Sequence, residues 1–591
     1  MKSSLGIPFV IFVLTSCSHT KNPKTVSEDA ASDLSQFQSE RKGEESTSSE
    51  SSDNQNSITI SVEQVSKELG ISRAQAVREV NLLARFINGN SKFNRALCAE
   101  EDSEESDYSD ALCDFVKFHR GTKPERETAN RNSTSGKRVP LRPHHFSQQQ
   151  KMGYGRLVKS LSKVTAGQML VWSPKLLETT SCPRNLSAAA IRKIENLMPS
   201  PAAFNMMEKL YAHSTACLKP DDEGYEMTHF RQGLLRILMG KESQALLPLR
   251  KAALAINSAE KSRVLFWAGL YERNLLKRKK YWGDLIEKYP LSFHALEAWN
   301  HLQMDPFEIF SKRPVLELTR STLGNSENID VSLRWLELLY LQGHVESAQK
   351  LSRWLTENYR DQISPTTLLY VSSLKSSRGT PLNTITFLTR QVGENPVILN
   401  QQTLKLLFPK PYFDIFEKAS PQTDTFLILS VARQESGFNP KARSIANARG
   451  LMQVLPATAR VLTGKKTNDL YNAEFNAEIG VRFLSQLINK MGGVELALAA
   501  YNAGPGRIPE WKERFPTDNE LLFLDLIPFK ETRNYVSAIL RNNYWYERLY
   551  SNDPAVLAQR TLKDAQQKSR RVGDLIEGHM RQSLARAPAG I

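Results

Sequence analysis

A carboxyl group stands at the end of an apolar stripe in the run Thr425-Phe426-Leu427-Ile428-Leu429-Ser430-Val431-Ala432-Arg433-Gln434-Glu435-Ser436-Gly437-Phe438-Asn439-Pro440. At helical spacing Ile428, Val431 and Glu435 share one face, at i, i+3 and i+7. Asp424 is placed to cap the start of such a helix and Gly437 to end it. A carboxyl in apolar surroundings has its pKa raised, so it can stay protonated near neutral pH and serve as a general acid. Within this one helix, a glutamate that simply reaches out to solvent explains the same residue.

Three later blocks add groups suited to holding a sugar. In Ala448-Arg449-Gly450-Leu451-Met452-Gln453-Val454-Leu455-Pro456, Gly450 permits a close turn and Pro456 suits the first turn of a helix over 457–462. Gln453 offers an amide for a hydroxyl or N-acetyl group, or else caps the turn. In Ala499-Ala500-Tyr501-Asn502-Ala503-Gly504-Pro505-Gly506, a Leu/Ala-rich helix runs into a Gly-Pro-Gly turn that would hold an aromatic ring and an amide rigidly. Core packing is the plain alternative for Tyr501. In Ile527-Pro528-Phe529-Lys530-Glu531-Thr532-Arg533-Asn534-Tyr535-Val536, Glu531 precedes a helix whose first turn it can stabilise through the macrodipole.

In this order the blocks resemble the family-one lytic transglycosylases, the soluble lytic transglycosylase type with a goose-lysozyme-like catalytic domain. The resemblance is strong over residues 416–555 and weaker over the helices before them. It implies that Glu435 is the catalytic residue, first protonating the oxygen that leaves N-acetylmuramic acid, then taking the proton from that sugar's C6 hydroxyl. The β-1,4 bond to N-acetylglucosamine would break without water, leaving a 1,6-anhydromuramoyl end. Tyr501 and Glu531 would support positive charge at C1, Ser436 would position Glu435, and Met452, Gln453, Asn502 and Tyr535 would complete a substrate-binding cleft. No metal, cofactor or nucleic acid is implied. No second carboxylate lies near Glu435 in sequence, whereas two-carboxylate glycosidases use one to activate water or attack the sugar. A hydrolytic goose-type muramidase is the alternative within the fold, and an inactive wall-binding scaffold the alternative outside it.

The rest of the chain positions these blocks. With 591 residues, more than one core is expected. From about 151 to 415 helix follows helix, as in 188–197, 202–211, 230–238 and 245–255, with short polar turns between. This is the pattern of an α-superhelical solenoid, and the predicted fold class is all-α, a superhelical region followed by a lysozyme-like catalytic domain. Ser262-Arg263-Val264-Leu265-Phe266-Trp267-Ala268-Gly269 and Tyr289-Pro290-Leu291-Ser292-Phe293-His294-Ala295 resemble the superhelical region of the same family. Residues 58–118 read as a small helical module, and its superficial likeness to a helix-turn-helix is set aside for plain helix packing. Residues 119–150 read as a basic linker in which His144 and His145 are solvated, and 556–591 as a basic tail.

The N-terminus gives the address. Lys2 and the apolar run Leu5 to Leu14 precede Leu14-Thr15-Ser16-Cys17, too short a run to span a bilayer. The pattern resembles a bacterial lipobox in which 1–16 is the signal peptide and Cys17 carries lipid, and Ser18 favours the outer membrane. Residues 17–57, rich in Ser and acidic groups, form a disordered tether. That places the chain in the periplasm, anchored by lipid. Cys98, Cys113, Cys182 and Cys217 are disulfide candidates whose pairing stays open. The net charge of +15 suits nucleic acid, an anionic membrane or an anionic wall polymer, and does not choose among them.

Overall fold

The helical periodicity read from the sequence is what the chain builds. The structure, a computed structural model, describes residues 60–87, 164–177 and 184–551, except 217, 223, 257–259, 316–317, 319–326, 360–361, 379, 421–422 and 465–468. The signal, tether, linker and tail, with Cys17, Cys98, Cys113, Cys182, Cys217, His144 and His145, lie outside the described residues.

The first two helices are α1 (Val62–Glu68) and α2 (Arg73–Ile87). A long run follows: α3 (Ala166–Leu177), α4 (Arg184–Ile194), α5 (Pro201–Thr215), α6 (Tyr225–Leu238), α7 (Glu242–Ala252), α8 (Lys261–Tyr271), α9 (Leu275–Lys288), α10 (Phe293–His301) and α11 (Pro306–Ser311). Next come α12 (Glu327–Leu341), α13 (Val345–Asn358), α14 (Pro365–Arg378), α15 (Pro381–Glu394), α16 (Gln401–Leu407) and α17 (Phe413–Ala419). The last seven are α18 (Thr425–Ser436), α19 (Pro456–Thr463), α20 (Ala473–Met491), α21 (Val494–Ala503), α22 (Arg507–Arg514), α23 (Glu520–Leu526) and α24 (Lys530–Tyr550). Among the described residues the only β pairing is two isolated bridges, Arg443 with Arg449 and Arg449 with Val454. The fold class is all-α.

Short polar residues set the helix starts. Ser200, Asn274, Ser292 and Asp305 each accept a first-turn N–H of the helix they precede, an arrangement worth about 1 kcal/mol apiece. Neighbours in sequence then pack as pairs, α6 on α7, α8 on α9, α12 on α13 and α14 on α15. The 262–269 stretch of α8 is buried throughout, including Arg263. Helices α1 and α2 do not stand apart. Val65, Ala76, Val80, Leu83, Ala84 and Ile87 join a core with Ile329, Leu333 and Leu336 of α12 and Leu351 of α13, so the apolar face of α2 is spent on helix packing.

The larger core runs from Met169 to Tyr546 and includes residues on both sides of position 416. Trp545 of α24 is fully buried and stacks between Phe310 and Phe408, ring centroids 6.1 and 6.0 Å away. The Tyr546 and Tyr550 hydroxyls donate to the carbonyls of Pro409 and Phe408 at 2.7 and 2.9 Å. Truncating such an aromatic costs about 3–5 kcal/mol, so α24 is seated firmly against the chain before it. That seating matters because α18 and α24 pack together and carry the site.

Candidate active site

Helix α18 begins at Asp424, whose carboxylate accepts the Phe426 N–H at 2.9 Å. It ends at Gly437, which adopts φ +57° and donates its N–H to the Arg433 carbonyl at 3.0 Å. A Cβ at Gly437 would also lie 2.7 Å from a methyl of Leu382. Both the left-handed cap and the close approach of α15 therefore require glycine. Glu435 sits just inside this cap, on the side of α18 facing α24.

The Glu435 side chain is partly exposed, yet its carboxyl is enclosed deeply enough to alter its chemistry. Desolvation by burial pushes its pKa from 4.5 up to about 8, with the negative charge of Glu531 adding to the rise. The Tyr535 hydroxyl opposes the shift by donating to Glu435 Oε1 at 2.6 Å. At neutral pH the carboxyl is mostly protonated, as a general acid needs to be. Burial and the proximity of Glu435 also raise the Tyr501 and Tyr535 hydroxyls well above the ordinary tyrosine range, so both stay hydrogen-bond donors.

Four of the sequence-predicted residues thus meet around one carboxyl: Glu435, Tyr535 in direct contact, and Tyr501 and Glu531 within electrostatic reach. Glu531 is exposed in the first turn of α24. It is a second acidic side chain within electrostatic reach of Glu435, at a position that the resemblance had placed in the cleft. Asn502 accepts from the Thr532 hydroxyl at 2.7 Å, tying the Gly-Pro-Gly turn to α24 one turn away from Tyr535. The Tyr501 ring packs on Phe483, 5.2 Å between centroids.

The 448–454 loop is held against the end of α18. The Ser436 hydroxyl, buried, donates to the carbonyls of Leu451 at 2.7 Å and Ala432 at 3.1 Å, and Tyr501 donates to the Met452 carbonyl at 2.7 Å. Ser436 therefore braces the residue beside it. The Met452 side chain is fully buried and packs on Gly480 of α20, so its backbone, not its thioether, faces the tyrosines. Gln453 adopts φ +47°, and its amide donates to the carbonyls of Gly450 at 3.0 Å and Ala442 at 3.1 Å. Its Oε1 is buried and has no hydrogen-bond partner among the described residues. Of the two functions foreseen for Gln453, the turn-closing one is what these hydrogen bonds perform.

Asn476 of α20 holds this loop in place and was not visible in the sequence. It is fully buried. Its Nδ2 donates to the carbonyls of Arg449 and Leu470 at 2.8 Å each, and its Oδ1 accepts the Met452 N–H at 2.8 Å. Gly450, at φ +77°, has the Leu470 carbonyl 2.2 Å from where a Cβ would stand. An asparagine inside an amphipathic helix gives no sign of a loop 24 residues earlier. Among the described residues no three His, Cys, Asp or Glu side chains gather as a metal site.

Part of the chain that holds this constellation is similar to known proteins. Residues 414–523 match the protein-family model described as the Transglycosylase SLT domain. The soluble lytic murein transglycosylase of Escherichia coli K12 is 32% identical over 162 residues, 26% of this chain and 25% of its own. The membrane-bound lytic murein transglycosylase C of Haemophilus influenzae is 34% identical over 138 residues, 20% of this chain and 38% of its own. The matched stretch thus spans between a quarter and two fifths of these relatives' length. Among solved structures, the lytic transglycosylase Slt of Pseudomonas aeruginosa, an inactive mutant, aligns with a TM-score of 0.48 at 18% identity, over 84% of this chain and 74% of its own.

Proposed function

We propose that the protein is a peptidoglycan lytic transglycosylase that cleaves the β-1,4 bond between N-acetylmuramic acid and N-acetylglucosamine, with Glu435 as the single acid and base. The observation that carries the proposal is a carboxyl raised to about 8 by burial and engaged by Tyr535, inside a matched transglycosylase domain. In the first step the C1–O4 bond breaks and O4 takes the Glu435 proton. In the second, the resulting carboxylate removes the proton of the C6 hydroxyl as O6 bonds to C1. Glu435 is protonated again, no water is consumed, and the product is a 1,6-anhydromuramoyl end.

Each neighbour has a part in this sequence. Tyr535 keeps the carboxylate stabilised between the two steps, and Glu531 faces the positive charge that develops at C1. Tyr501 and Ser436 hold the 448–454 loop against the end of α18, and Gln453 closes the turn of that loop beside the cleft. Asn502 fixes the turn against α24.

Mass spectrometry of digested glycan strands tests the reaction class. Anhydro ends, one water lighter than reducing ends, are expected. Reducing ends alone would favour hydrolysis, a second reading kept open by the exposed Glu531 carboxylate beside Glu435. The Glu435→Gln protein should lose about 10²–10⁴-fold in rate, and full retention of cleavage would remove Glu435 from the chemistry.

We place the work in the periplasm, with lipid at Cys17 holding the chain to the outer membrane, on the strength of the lipobox-like N-terminus. Among the described residues no helix is long and apolar enough to cross a membrane. The Cys17→Ala protein should leave the membrane fraction, and one that stays there refutes the lipid anchor. We also propose that 151–415 serves as the superhelical region and 416–555 as the catalytic domain.

A further inference from the structure

A buried arginine of the helical region lies between α8, α23 and α24. Arg263 of α8 is 4% exposed, and its guanidinium contacts four groups. It donates to Asp525 of α23 and to Glu260 at its own helix start. It also approaches Asn534 Oδ1 and Ser537 Oγ of α24, both at 3.4 Å. Asp525 is further fixed by Trp267 Nε1 at 2.5 Å and His294 Nε2 at 2.9 Å. Burial alone would push the Asp525 carboxyl up, but His294 and Arg263 outweigh it and hold it well below the usual carboxylate range. Glu260 also faces the Arg533 guanidinium at 3.7 Å.

Asn534 and Ser537 lie at i and i+3 on α24 and share one face. Tyr535, one residue on from Asn534, points about 100° further round the helix, to Glu435 at 2.6 Å. Helix α24 is therefore clamped on one side by the helical region and on the other contacts the acid. An atom about 5.5 Å from a helix axis moves about 1 Å for a rotation of about 10°, enough to break a hydrogen bond of this length.

We propose that Arg263, a residue of the helical region, is a positioning residue for the acid: by anchoring Asn534, Ser537 and Asp525 it sets the rotation of α24 at which Tyr535 engages Glu435. The inference rests on Glu435 being the acid. It gives the helical region a part in positioning the acid.

The test uses the full chain and soluble glycan-strand oligomers, with Arg263→Lys, Tyr535→Phe, the double variant of these two, and Asn534→Ala/Ser537→Ala. The last removes the α24 partners while leaving the Arg263–Asp525 pair, so it answers the question if Arg263→Lys fails to fold. For Arg263→Lys, kcat should fall about tenfold or more, a 1 Å misplacement being able to cost up to about 10²-fold, with KM within about twofold. The alkaline limb of its pH profile should move upward, as it should in Tyr535→Phe. The double variant should lose little more than Tyr535→Phe alone, because both act through one contact. A multiplicative loss, or a folded Arg263→Lys or Asn534→Ala/Ser537→Ala protein with the parent's kcat and pH profile, overturns the inference. In that case an inactive Glu435→Gln protein leaves the reading of the site intact, whereas an active one removes both.

Discussion

The hydroxyl of Tyr535 donates to the carboxyl of Glu435, 2.6 Å away in space and 100 residues earlier in the chain. The pairing is chemically asymmetric: it stabilises the carboxylate form of an acid that burial drives toward the neutral form. Removing it therefore has a calculable sign.

The cleavage rate, kcat/KM, should fall on the alkaline side with a midpoint near the Glu435 pKa of about 8, because only the protonated carboxyl can donate to the leaving oxygen. In Tyr535→Phe the hydrogen bond that lowers this pKa is gone, so the limb should move to higher pH while kcat drops about tenfold. A limb that stays put or moves down would show that Tyr535 does not set the titration of Glu435.

The same proton enters folding. In the folded protein the Glu435 carboxyl titrates near 8, against 4.5 when unperturbed. Between these values the native state binds more protons than the unfolded chain, so the stability contributed by this group falls as pH rises. The Glu435→Gln protein cannot titrate there. Its stability relative to the parent should grow from pH 5 to pH 8 by about 1–3 kcal/mol, discounted for the partial exposure of the residue. Urea unfolding at the two pH values measures it, and a constant difference would mean that the carboxyl is not desolvated.

Asn476 fills three backbone hydrogen bonds of the 448–454 loop and its flank. Asn476→Ala should cost about 2–4 kcal/mol, since each buried partner left unsatisfied costs about 1–3 kcal/mol. It should also weaken substrate binding through the freed Met452 and Gln453. Denaturant unfolding and KM test the two effects, and a loss under 1 kcal/mol would contradict the bracing role.

Gly437 offers a cleaner separation of strain from packing. Gly437→Ala meets both a positive φ and the Leu382 side chain, and should destabilise by more than the roughly 1–2 kcal/mol of a left-handed non-glycine residue alone. Adding Leu382→Ala should recover the packing part. If the two losses simply add, α15 does not press on the end of α18.

The outlines of the fold were legible because helix spacing is local. The run from 202 to 211 falls inside α5, 245–255 overlaps α7, and 457–462 matches α19 within a residue at each end. The cap at Asp424 and the stop at Gly437 were equally readable, since each acts within a few residues of itself. What escaped was set by tertiary neighbours. Nothing around Asn476 points to the 449–452 backbone, and nothing around Arg263 points to Asp525, 262 residues on. Ser436 and Met452 have side chains whose buried destinations depend on α20 and the loop. A cleft read from motifs therefore mixes residues that face the site with residues that carry its walls.

The stacking of Trp545 between Phe310 and Phe408 bears on the order of events at the ribosome. Both flanking rings emerge well before α24 does, so during synthesis the nascent chain displays an aromatic slot waiting for that helix. Until residue 535 arrives the acid helix lacks its partner tyrosine, and until residue 545 arrives the slot is open to the α24 of another copy. Slow or interrupted synthesis over the 21 residues of α24 thus favours exchange of that helix between chains, a characteristic misassembly of proteins whose core is closed by a late element.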